Sequence, residues 1–206
     1  METGSVTHKI IVAGIGPGNP AYLLPKAQNT IANARILVGG RRALEDFAHP
    51  AAKTCAIGAD IPGVLAFICT SLAENDVVVM VSGDPGYYSL LDALRRTFPL
   101  DQIEVIPGIS SLQLAFSRLA LPWHNSRLLS FHGREPLPEE LFRAPGAVLG
   151  MLTDGWNNSQ TIAERLLSHG WKENDDMHIC TRLSYADEQI VHTTIGEASR
   201  AAGIGH

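Results

Sequence analysis

Cysteine is scarce and scattered in this chain: Cys55, Cys69 and Cys180 are odd in number and far apart, with no Cys-x-x-Cys pair and no clustered histidines beside them. That excludes a disulfide framework and gives no sign of a zinc site, and it points to reduced thiols in the cytoplasm, with no protein-bound metal. Basic runs are equally short. No Lys/Arg run exceeds two residues and the formal charge is −5, so no surface for nucleic acid is expected. Long apolar runs are missing too. None approaches the ~18 residues needed to span a bilayer, and Met1–His8 shows no basic segment followed by an apolar one, so neither a membrane span nor a leader is expected. There is no internal repeat and no low-complexity tract.

What is present is enough apolar material for a core, 45% of 206 residues, which suits one large or two small domains at roughly 100–200 residues each. The first half alternates short β-branched runs with helical patterns, the signature of βαβ units and a mainly parallel sheet. Strands are expected at Lys9–Ala13, Arg35–Val38, Lys53–Ile57, Asp76–Val81 and Ile103–Ile106, with helices around 25–34, 42–47, 63–74, 89–97 and 110–119. The pattern pauses at Leu121-Pro-Trp-His124, and a polar, proline-containing bridge runs from Gly133 to Pro138. A boundary near residue 124 therefore divides an α/β domain, 1–124, from a second, 125–206. In the second, a strand (147–152) and a helix (158–169) precede two strands, 176–182 and 189–194, whose pairing suits a mixed sheet.

The most informative stretch is Val81-Ser-Gly-Asp-Pro-Gly-Tyr-Tyr-Ser89, a glycine-rich turn entered directly from a hydrophobic strand. In open α/β sheets, small molecules bind outside the carboxyl ends of the strands. Asp-Pro-Gly is also ordinary turn chemistry. A second glycine loop, Gly14-Ile-Gly-Pro-Gly18, follows the first strand but fails both nucleotide fingerprints. No Lys-Ser/Thr follows Gly18, the dinucleotide spacing is broken, and positions 38–40 read Val-Gly-Gly where a ribose-binding acid would stand. A cofactor without phosphates, held by backbone groups and apolar walls, fits this pattern, and S-adenosylmethionine answers to it. Its sulfonium methyl is already electrophilic, so the protein has chiefly to align a nucleophile and exclude water.

Gly14–Gly18, Val38-Gly-Gly-Arg41, Ser82–Ser89 and Ile106-Pro-Gly-Ile-Ser-Ser111 resemble, in order and spacing, the tetrapyrrole methylases that use S-adenosylmethionine. Phe131-His-Gly-Arg134, Leu152-Thr-Asp154 followed by Asn158, and Arg182-Leu-Ser-Tyr-Ala-Asp-Glu188 are most similar to the branch that methylates C-5 of cobalt-precorrin-7 or its metal-free analogue in cobalamin biosynthesis. The resemblance implies two α/β domains with the cofactor cleft between them, commonly a homodimer, and a separate chain for C-15 methylation and decarboxylation. It places Gly83, Asp84, Tyr87, Ser110 and Ser111 around the cofactor, with Leu152 and Thr153 closing the pocket from the second domain. A corrinoid carries many carboxylates, so Arg41, Arg42 and Arg134 are the expected substrate cations, arginine's planar fork suiting carboxylates. His132 is the candidate for orienting substrate or accepting a proton.

Plainer roles stand beside these. Asp84 could neutralise ligand charge or cap the following helix, Ser110 and Ser111 could be helix caps, and Thr153 could start the helix beyond Asp154. Relatives of this kind continue past Thr194-Ile-Gly-Glu197 into a final strand, so the second domain is expected to lack one. The alternatives are a methylase of another ring carbon, the enzyme that methylates the diphthamide precursor, or a ligand-binding domain without catalysis.

Overall fold

A computed structural model describes residues 7–203. The first six residues and Ile204-Gly-His206, on which the readings of a leader and of the chain's end partly rest, lie outside the described residues. The chain forms two compact units that meet in sequence at Ser110 and Ser111.

The first unit runs β1 (Ile10–Gly14), α1 (Pro25–Ala32), β2 (Ile36–Gly39), α2 (Arg41–Phe47), β3 (Lys53–Ala56), α3 (Ile61–Ser71), β4 (Val77–Val81), α4 (Leu91–Thr97) and β5 (Ile103–Ile106). Its five strands are all parallel, in the order β3-β2-β4-β1-β5. β4 reads Val-Val-Val-Met-Val and is buried throughout, because a central parallel strand is covered on both faces. The pleat sends Val77, Val79 and Val81 to one side, with Val64 and Ile68 of α3 and Leu94 of α4. Val78 and Met80 go to the other, with Ala27 and Ile31 of α1 and Ala43 of α2. Each large apolar side chain so buried contributes roughly 1.5–3 kcal/mol.

This sorting of helices positions the site. From β1 the chain moves through α1 toward β2 and β3 on one face. From β4 it moves through α4 toward β5 on the other. β1 and β4 are neighbours whose connections leave in opposite directions, so the crevice of a doubly wound sheet falls at their carboxyl ends. The two glycine loops picked out from the sequence are the loops that follow these two strands.

The second unit contains α5 (Ser111–Arg118), β6 (Arg127–Ser130), α6 (Pro138–Leu141), β7 (Leu149–Leu152), α7 (Ser159–Ser168), β8 (Asp176–Thr181), β9 (Gln189–Thr194) and α8 (Ile195–Arg200). β6 and β7 pair in parallel, β8 and β9 antiparallel. Leu129, Phe131, Leu141, Ile162, Leu166 and Ile195 form its core.

The division lies earlier than the expected boundary at 124. α5 belongs with the second unit because its Phe116 ring packs on β7 at Gly150, where an added Cβ would lie 2.9 Å from Phe116 Cε2. The polar bridge expected at 133–138 lies within this unit, a loop after β6 whose Pro138 opens α6.

Candidate active site

In the first unit, three loops converge at the carboxyl edge of the sheet. Ile15 N–H donates to Val81 O (2.9 Å), Gly83 N–H to Gly16 O (2.8 Å), and Gly16 N–H returns to Gly83 O (3.3 Å). The amides of Ile15 and Gly16 are therefore bound to the β4 loop and not offered to a phosphate, which agrees with the failed nucleotide fingerprints. Gly14, Gly83 and Gly108 let the three backbones touch. A Cβ on Gly14 would lie 2.7 Å from both Gly108 N and Gly83 O, and Gly83 holds φ +68°, a region that favours glycine.

Asp84 locks this arrangement. Its Oδ1 accepts from Gly86 N–H (2.8 Å) and its Oδ2 from Gly108 N–H (3.0 Å), so one carboxylate closes its own turn and ties the β4 loop to the β5 loop. It does not cap α4, whose N-cap is Leu90 with no side-chain hydrogen bond. Tyr87 N–H closes a turn onto Asp84 O (3.2 Å), and the Tyr87 and Tyr88 rings meet edge to face at 4.6 Å. Ser110 is buried, with its Cα 3.4 Å from where a Gly83 Cβ would stand. Gly83, Asp84, Tyr87 and Ser110 thus belong to one loop cluster. Ser111 opens α5 and belongs to the second unit. Arg41 and Arg42 begin α2, exposed at the carboxyl end of β2, and Arg42 lies 3.8 Å from Asp46 one turn on.

The second unit repeats the device. Asp154, just past β7, accepts at Oδ1 from Asn157 N–H (2.7 Å) and Trp156 N–H (2.9 Å). Its Oδ2 takes Gly133 N–H from the β6 loop and the Asn157 amide, both at 3.3 Å. The Asn157 N–H bond first, then the other donors, hold the Asp154 carboxyl down to about 2. This clamp sets His132, exposed, beside the end of β7, and Arg134 is exposed on the same loop after β6. His132 N–H reaches Ser130 Oγ (3.2 Å), and its Nδ1 lies 3.4 Å from Thr153 O. Leu152 and Thr153 are half-buried at the same strand end. Thr153 does not start α7. Asn158 does, accepting from Gln160 N–H (3.0 Å) and Thr161 N–H (3.1 Å).

The segment 182–188 is held by α5. Arg118 grips Glu188 with Nε at 2.6 Å and Nη2 at 3.3 Å, and Glu188 also accepts from Ser184 N–H at 2.7 Å. Arg118 first, then Ser184 N–H, pull the Glu188 carboxyl below its ordinary range. Arg182 and Ser184 take φ +54° and +75°, and backbone strain of this kind in non-glycine residues concentrates at functional sites.

Two features escaped the sequence reading. Asp154 appeared there only as part of a motif, although Asp-Gly directly after a strand is a turn signal. Trp156 is 89% exposed, with its N–H on Asp154 and its carbonyl accepting from Thr161 Oγ1 (3.2 Å). No periodicity marks a lone aromatic in a loop.

Among the described residues no three His, Cys, Asp or Glu side chains gather as a metal cage, and no helix is long and apolar enough to cross a membrane.

The family model described as Tetrapyrrole (Corrin/Porphyrin) Methylases matches residues 9–199. The cobalt-precorrin-7 C(5)-methyltransferase of Salmonella typhimurium is 32% identical over 181 residues, 88% of each chain. The decarboxylating precorrin-6Y C(5,15)-methyltransferase of a Sinorhizobium species is 32% identical over 92% of this chain, which spans about half (46%) of that relative. Among solved structures, a precorrin-6Y methylase from Archaeoglobus fulgidus aligns with TM-score 0.67 at 25% identity, covering 92% of this chain and 90% of that one. A uroporphyrin-III C-methyltransferase from Thermus thermophilus, solved with S-adenosyl homocysteine, aligns with TM-score 0.71 at 24% identity, covering 93% and 85%, a likeness of fold.

Proposed function

The chain belongs to the tetrapyrrole (corrin/porphyrin) methylases, and from that membership we propose that it transfers the methyl group of S-adenosylmethionine to C-5 of cobalt-precorrin-7, or of its metal-free analogue, in cobalamin biosynthesis. The observation that carries the reading is 32% identity to a cobalt-precorrin-7 C(5)-methyltransferase along 88% of both chains. The C-15 methylation and decarboxylation named for the Sinorhizobium relative are not assigned to this chain.

The residues fit the donor. Its sulfonium would supply an electrophilic methyl, and the Ile15 and Gly16 amides, bonded across to the end of β4 and its loop, are not offered to a phosphate. We place the donor against Gly83, Asp84, Tyr87 and Ser110 of the first unit. Asp84 then acts first as a clamp: by tying Gly86 and Gly108 it fixes the backbone against which the donor is aligned. Alignment is where most of the rate should come from, since a held near-attack geometry replaces an encounter in solution. The attacking carbon is an electron-rich meso position of the macrocycle. Arg41, Arg42 and Arg134 recognise its carboxylates. His132 accepts the proton released from that carbon or passes it to water, its Nδ1 turned toward Thr153 O.

The test is incubation with methyl-labelled S-adenosylmethionine and cobalt-precorrin-7, in parallel with the metal-free analogue. The expected result is one methyl added at C-5, with S-adenosylhomocysteine released in equal amount. Tight donor binding with no transfer to either corrinoid would overturn the assignment.

A further inference from the structure

The β8–β9 hairpin carries a pair of side chains that the methyl-transfer reading does not use. His178 and His192 are direct partners across the ladder. The bond from Ile195 N–H to Asp175 O (3.0 Å) flanks the Asp176–Thr194 pair from outside, the pattern of a non-hydrogen-bonded position. Two residues further along each strand the same alternation makes His178–His192 a non-hydrogen-bonded pair as well, where facing side chains come closest. Both histidines are exposed, and their rings meet edge to face, centroids 4.8 Å apart and planes at 75°.

We propose that His178 and His192 form a two-imidazole site for a borderline divalent transition ion of the Zn²⁺ or Ni²⁺ type, with water completing the coordination. Imidazole suits these ions, and selection among them follows ligand type more than charge. Two imidazoles fixed on one sheet face act as a chelate, because once the first nitrogen binds, the second is already at high effective concentration. Asp176 lies two residues before His178, hence on the same face, and its carboxylate favours a cation there. Cys180, two residues beyond His178, is only partly exposed, and the site is assigned to the two imidazoles alone. With two protein ligands, affinity falls well short of that of a four-ligand structural zinc site.

Zn²⁺ and Ni²⁺ are titrated calorimetrically into the full chain and into His178→Gln and His192→Gln, whose far-UV spectra establish that they fold. Saturable binding of one ion is expected, weakened about tenfold or more by either substitution. The same ions should raise the urea midpoint of the parent and leave both variants unmoved, because only a chelate ties β8 to β9. Equal affinity in parent and variants would assign the metal to other histidines and overturn the proposal, as would the absence of saturation below about 1 mM.

Discussion

Gly14→Ala should both destabilise the protein and weaken donor binding. The methyl would sit 2.7 Å from Gly108 N, 2.7 Å from Gly83 O and 2.8 Å from Gly108 Cα. All three contacts are backbone, so no side-chain rotation relieves them, and the loops after β4 and β5 must each retreat by about half an ångström. Overpacking of this kind costs about 1–3 kcal/mol. For a chain of this size that lowers the melting temperature by roughly 4–8 °C at the middle of the range. The retreat also stretches the Gly16–Gly83 bridge and the Asp84–Gly108 bond, the contacts that fix the edge where the donor is proposed to lie. The control is Gly58→Ala. Its Cβ would meet nothing within 4 Å, so it should be neutral or stabilise by about 0.4–1 kcal/mol through the unfolded chain. Thermal melts and calorimetry with S-adenosylhomocysteine give both readouts. A Gly14→Ala protein that melts with the Gly58→Ala control and binds like the parent would refute the claim that close backbone contact builds this site.

Asp154→Asn tests the second clamp through pH. The folded carboxyl lies at about 2, below the ~3.9 of an unfolded aspartate, so its stabilisation is complete above the unfolded value and is lost as pH falls from about 4 through 2. The urea-midpoint gap between parent and variant should be widest at neutral pH and close toward pH 2; a gap that ignores pH would sink the clamp. Glu188→Gln removes the bidentate Arg118 pair and should lower stability by about 1 kcal/mol, the upper end for a partly exposed pair, with earlier proteolysis between residues 182 and 188; an unchanged midpoint and cleavage pattern would show that the pair does not hold the segment. Trp156→Ala should leave melting and donor binding unaltered, the indole being 89% exposed. If that ring lies on the macrocycle, the KM for the corrinoid rises about tenfold, a ratio worth about 1.4 kcal/mol, and an unchanged KM rules the contact out.

The central sheet was legible because its information is local. A run of five apolar, mostly β-branched residues, Val77–Val81, bounded by turn signals is the pattern of a strand buried on both faces, and the punctuating glycines stand where strands end. The expected ends slipped by one to three residues, two of them for a visible local reason. Asp76 stays out of β4 because its carboxylate takes Lys9 N–H (2.8 Å) at the start of β1. Ser89 stays out of α4 because its Oγ takes Leu91 N–H (3.1 Å) and donates to Pro85 O (2.6 Å). β6 was missed because Arg-Leu-Leu-Ser is too short to show a period. α8 could have been found, since Thr194 and Glu197 form a capping box, written in the sequence as Thr-x-x-Glu.

The site was legible to a lesser degree, and the difference has one physical source. The glycine-rich turn marked Gly83 and Asp84, the resemblance to the tetrapyrrole methylases added Tyr87 and Ser110, and the structure brings these four into one loop cluster. What each group does depends on which distant backbone reaches it. Asp84 meets Gly108 across 24 positions and Asp154 meets Gly133 across 21, distances that no local pattern encodes. In both units an aspartate just past a strand spends its charge on the backbone of a neighbouring loop, so its removal should loosen the loops before it removes any contact with a ligand. A loss of donor affinity in Asp84→Ala is therefore expected to arrive together with a loss of stability. An affinity loss at unchanged melting temperature would instead assign Asp84 to the donor directly.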